Sequence, residues 1–135
     1  MRRSAVIAVF AIALVSCTKK EPLTKDATVA LISDSAAFRA PMDPGIVFID
    51  ATYRPGPNTR RELVRLEGLT VKDDGPGGIA GQTATAAFTW RWNEGPFANR
   101  LFRSKARLNN NGSGWRVYDD YLKRQLYAGE RGEEE

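Results

Sequence analysis

The feature that most constrains the fold is a pair of alternating stretches in the C-terminal half of the 135-residue chain. In TATAAFTWRW, Ala84, Ala86, Phe88, Trp90 and Trp92 alternate with Thr85, Ala87, Thr89 and Arg91. Side chains on a strand point to opposite faces in turn, so a period of two predicts a half-buried β-strand. In LFRSKARL, Phe102, Ser104, Ala106 and Leu108 alternate with Arg103, Lys105 and Arg107, which predicts a second strand with a basic face. NNNGSG follows, and its Asn111-Gly112 pair signals a hairpin into a third strand from Trp115 to Val117 or Tyr118.

The rest of the chain reads as shorter elements. Residues 27–40 fit a helix through Val29, Ile32 and Ala36, although Ala27, Val29 and Leu31 also fit a strand. Pro41, Pro44 and Gly45 break it, and IVFI at 46–49 is a short β-prone run. YRPGPN is a loop. Thr59-Arg60-Arg61-Glu62 has the spacing of a capping box, so a short helix carrying Leu63 and Leu66 and closed by Gly68 is predicted. Leu69 to Lys72 reads as a strand. Asp119 or Asp120 is expected to cap a closing helix, YLKRQLYA, with Gly129 just past its end. The predicted fold is α+β: an antiparallel sheet of about four strands, mostly C-terminal, with one or two short helices, and an all-β sandwich as alternative.

The N-terminus sets the location. Arg2 and Arg3 precede the uncharged run Ser4 to Val15, twelve residues long. A spanning helix needs roughly 20 apolar residues, so the run suits a signal peptide better than a permanent anchor. An uncleaved anchor is the competing reading, and the arginine pair lacks the residues that usually follow it in twin-arginine export. Cys17 is the only cysteine in the chain and is followed by polar TKKEPLTKD. Leu14-Val15-Ser16-Cys17 resembles the lipobox of bacterial lipoproteins. That resemblance implies cleavage between Ser16 and Cys17, a diacylglycerol thioether on Cys17, and acylation of the new amino group, commonly with palmitate. Thr18, where inner-membrane retention would place Asp, implies the periplasmic face of the outer membrane. The organisation expected is a signal peptide over 1–16, a lipidated Cys and tether over 17–26, one domain over 27–128 and a charged tail over 129–135.

Composition narrows the chemistry. Without residues 1–16 the chain keeps 119 residues with 18 basic against 16 acidic, a net charge of +2. It has no His and no second Cys, so it forms no internal disulfide and lacks the usual transition-metal ligands. No cofactor or metal is expected. No catalytic residue is assigned: a Cys nucleophile needs a base, and no G-x-S-x-G or S-x-x-K motif occurs. A hydrolase would have to rest on Asp73-Asp74 or Asp119-Asp120, yet neighbouring residues on a strand point apart, and glycosidic carboxylates must face each other across about 5–10 Å. GPGGIA at 75–80 matches a dinucleotide fingerprint formally, but a proline sits inside it and a strand, not a helix, follows it.

Two surface readings remain. The row Phe88, Trp90, Trp92 builds a core, with the wall of a ligand or glycan pocket beside Trp90 and Trp92 as alternative. Arg91, Arg103, Lys105 and Arg107 form a basic face if their strands pair, either a solvated face or a contact for an anionic envelope component. Nucleic acid is not expected as a partner of an exported protein. The meander ending in GWRVYDDYL is loosely similar to cone-shaped nuclear-transport-factor-like domains of small exported lipoproteins, although their long N-terminal helices are short or missing here. The function expected is that of a lipid-anchored, non-catalytic interaction module facing the periplasm. Its partners would be the membrane, through Cys17, and another envelope protein.

Overall fold

The computed structural model describes residues 22–43, 52–73 and 81–132. The segment expected to be a signal peptide, with Ser16 and Cys17, the 46–49 run, GPGGIA and the last three residues lie outside the described residues. The elements are α1 (Lys25–Ser33), α2 (Ala36–Arg39), β1 (Arg61–Asp73), β2 (Gln82–Trp92), β3 (Phe102–Asn110), β4 (Trp115–Val117) and α3 (Asp119–Glu130). The four strands form one antiparallel sheet in the order β1-β2-β3-β4. The fold is α+β, as the alternation predicts, and among the described residues there is one sheet and not the two of a sandwich.

The largest departure lies at Thr59 to Gly68. Instead of a helix, residues 61–73 form β1, paired with β2. Leu63, Leu66 and Leu69 have the three-residue spacing of a helix face. They oppose Trp90, Phe88 and Ala86, which are two apart. Register shifts at Val64 and Glu67 absorb the difference, since each bulge adds one residue to β1. All three leucines therefore pack on the core. Thr59 caps nothing here; its hydroxyl donates to Glu94 Oε2 at 2.9 Å.

The helical segments cover the inner face of the sheet. Thr24 Oγ1 accepts from Ala27 N at 3.0 Å and starts α1, so the helix begins inside the stretch expected to be tether. Ser35 Oγ accepts from Phe38 N at 3.2 Å and starts the single turn α2. Asp119 does not cap its own helix: its Oδ1 accepts from Ala37 N at 3.1 Å and ties α3 to α2. α3 also runs past the end expected for it, through Gly129 to Glu130, which is 4% exposed and not part of a frayed tail. Phe38, Phe88, Trp90, Trp92, Phe102, Leu108, Leu122 and Leu126 fill the space between helices and sheet. The Asn111-Gly112 hairpin forms as predicted: Asn110 Oδ1 accepts from Gly112 N and Gly114 N, and β3 pairs with β4.

Candidate functional site

Trp90 and Trp92 are core residues. Both are fully buried, so neither ring can meet a ligand in this structure. Their polar handles are spent internally: Trp90 Nε1 donates to Ser104 Oγ at 3.0 Å, and Trp92 Nε1 to Glu130 Oε2 at 2.7 Å. The Arg61 guanidinium lies 5.0 Å from the Trp90 ring centroid and 4.5 Å from that of Trp92.

Arg61 and Glu130 were not singled out from the sequence, and they are the buried charged pair of the domain. Arg61 Nη2 stands 3.8 Å from Glu130 Oε1, with both side chains 1% exposed. Arg61 Nη1 donates to the carbonyls of Ala37, Phe38 and Ala40 at the end of the one-turn helix, where the Ala37 carbonyl also accepts from Ala40 N. Burial raises the Glu130 carboxyl to about 6, against the opposing pull of Arg61 and the Trp92 N–H. Burial likewise lowers Arg61 from its ordinary value. This pair holds α2, β1, β2 and α3 together from inside, where no substrate reaches it.

The outer face of the sheet collects the basic residues named from the sequence. Strand register places Arg103 opposite Thr89, Lys105 opposite Ala87 and Arg107 opposite Thr85, with Arg91 opposite Glu62 on β1. All four cations are exposed. The face divides into two halves. At one end Arg91 Nε donates to Glu62 Oε1 at 3.2 Å, and Arg65 Nε to Glu67 Oε2 at 2.7 Å. The Thr89 hydroxyl donates to Glu67 at 2.6 Å and, with Arg65 and Arg103, holds that carboxyl below its usual range. Cation and anion answer each other there.

The other end is built differently. Thr70, Lys72, Thr83, Thr85, Arg107 and Tyr118 line a hollow of about 350 Å³ that no described carboxylate enters. The Arg107 guanidinium sits 4.5 Å over the Tyr121 ring. On the helix side of the sheet, Leu23, Ala27, Ala30 and Leu31 line an open apolar groove of about 550 Å³ together with Trp115 and Val117, with Asp34 and Asp119 among its lining. Among the described residues, no three His, Cys, Asp or Glu side chains converge as a metal site would require, and no helix is long and apolar enough to cross a membrane.

No family model, curated protein or solved structure matches this chain. The functional reading therefore rests on the residues and geometry above.

Proposed function

We propose that this chain is a bacterial lipoprotein of the cell envelope, anchored through acyl groups on Cys17, whose domain is a non-catalytic interaction module. The basic head, the twelve-residue apolar run and Leu14-Val15-Ser16-Cys17 support the anchor. Each buried methylene adds about 0.8 kcal/mol, so more than one acyl chain makes attachment stable. Thr18 favours the periplasmic face of the outer membrane.

The observation that carries the module reading is the division of labour in the sheet. Its inner face is taken up by the core except along the groove at Trp115 and Val117, while its outer face presents Arg91, Arg103, Lys105 and Arg107 to solvent on one rigid surface. Such a face suits an acidic surface of another envelope protein. Confinement to a membrane raises the effective concentration of the domain near partners held there.

The test is crosslinking in intact cells, with mass spectrometry of what purifies with the tagged chain. One dominant envelope protein, lost in Cys17→Ser, is the expected result. Palmitate labelling that survives Cys17→Ser would overturn the anchor, and capture unchanged after Lys105→Glu/Arg107→Glu would overturn the basic face.

A further inference from the structure

We infer that the hollow at the Lys72 and Arg107 end of the outer sheet face binds a phosphoryl oxyanion. This rests on reading the outer face as the binding face, and not on the lipid anchor. Two rungs whose side chains face the same side of the sheet meet there. Thr70, Thr85 and Arg107 share one across β1, β2 and β3, and Lys72 and Thr83 share the other, two residues along. Tyr118 closes the β4 side, its backbone N–H bonded to the Arg107 carbonyl at 2.9 Å.

The donor set matches the ligand. A phosphoryl group presents several oxygens in a fixed tetrahedral array and needs donors on more than one side. The hollow offers a guanidinium, an ammonium, the hydroxyls of Thr70, Thr83 and Thr85, and the Tyr118 phenol. Contact with the Tyr121 ring restrains the Arg107 guanidinium, whose five N–H donors can serve more than one acceptor. Charge-assisted bonds of this kind are the strong ones.

Among the described residues no carboxylate neutralises the charge of the hollow. Neither Lys72 nor Arg107 joins the ion pairs formed among the described residues. Arg116 on β4, exposed and opposite Asn109, lies on the same rung as Lys72 and Thr83 and adds positive potential. At the other end of the same face Glu62 and Glu67 occupy the cations, so the same residue types there leave no such vacancy for an anion. A volume of about 350 Å³ exceeds a bare phosphate and suits a phosphorylated small molecule or a phospholipid headgroup.

The experiment uses the full chain carrying Cys17→Ser, titrated calorimetrically with inorganic phosphate against chloride at matched ionic strength. A second arm measures flotation with phosphatidylcholine vesicles, with and without a quarter of phosphatidylglycerol. Lys72→Gln/Arg107→Gln should weaken phosphate binding by at least about 10-fold, the scale of losing charged hydrogen bonds. Arg91→Gln, which removes an already answered cation, should change it less than about 2-fold. Thr85→Val removes one hydroxyl and no charge, and should still weaken binding measurably if the double variant folds poorly. Variant-sensitive binding to phosphatidylglycerol identifies a lipid headgroup; phosphate binding without it identifies a soluble phosphorylated ligand. No variant-sensitive binding in either arm, or an equal loss in Arg91→Gln, overturns the inference. If the titration fails while a protein partner is captured, the hollow falls alone; phosphate binding without any captured partner leaves the hollow standing and removes the partner reading.

Discussion

A Cβ on Gly129 would stand 2.8 Å from the Arg103 carbonyl oxygen and 3.1 Å from Ser104 Oγ, because α3 lies directly against β3. Alanine normally gains up to about 1 kcal/mol over glycine inside a helix. Here the backbone carbonyl cannot yield cheaply, so Gly129→Ala should instead lose about 1–3 kcal/mol. Denaturant unfolding reads the sign directly, and a gain would show that α3 is not seated so closely. The next residue supplies the pH dependence. With the Glu130 carboxyl raised to about 6, the folded chain keeps its proton to higher pH than the unfolded chain does. Its contribution is complete below about pH 4.5 and is lost as pH rises through about 6, a change of about 2 kcal/mol. The groups facing it are Arg61 from β1, Trp92 from β2, and Arg131 and Asp43 nearby. Urea unfolding at pH 4.5 and 7.5 should show this difference in the native chain and not in Glu130→Gln, which stays neutral. An identical pH profile in both chains would assign the titration elsewhere. The sequence pointed to neither Arg61 nor Glu130, because their pairing exists only once α3 closes over β1. Trp90 and Trp92 were legible as core because alternation alone puts them on one face.

Elements were legible in proportion to how local their signal is. β2, β3 and the β3–β4 hairpin each announce themselves within about ten residues by period two and by Asn-Gly, and each formed where expected. β1 was not legible as one strand. Its leucines at 63, 66 and 69 carry a helical spacing, and the bulges that reconcile it with Trp90, Phe88 and Ala86 are set by the neighbouring strand. A candidate capping box in front completed the wrong picture. This predicts an asymmetry between two deletions. Removing Val64 leaves Leu63, Arg65 and Leu66 in strict alternation, so it should straighten the bulge and cost no more than about 2 kcal/mol. Removing Ala87 from the unbulged centre of β2 moves half of the aromatic row to the solvent face, and should abolish cooperative unfolding. Near-ultraviolet circular dichroism of the two deletion chains separates the outcomes. Equal damage from both would mean that the Val64 bulge is itself required.

Across the whole molecule, charge matters by its placement more than by its sum. The net charge of +2 after residue 16 is small, and it would steer partners weakly if spread evenly. It is instead sorted: Glu62 and Glu67 answer one end of the outer face, while Lys72, Arg107 and Arg116 gather at the other. The basic face was legible as a pattern, but this division was not, because it depends on which β1 residues the bulges turn outward. The apolar groove between α1 and β4 is the physical rival for a protein partner, and salt distinguishes the two surfaces. Exposed charges are screened over about 10 Å at 0.1 M ionic strength, and steering raises association rates by about 10-fold or more when it operates. Association of the domain with the proposed envelope partner through the outer face should therefore slow by about 10-fold between roughly 0.03 and 0.3 M salt, with little change in dissociation. Lys105→Glu/Arg107→Glu should flatten that dependence. Binding through the groove would do the opposite: apolar burial responds little to salt in this range, and Trp115→Ala, not the charge reversal, would raise the dissociation rate.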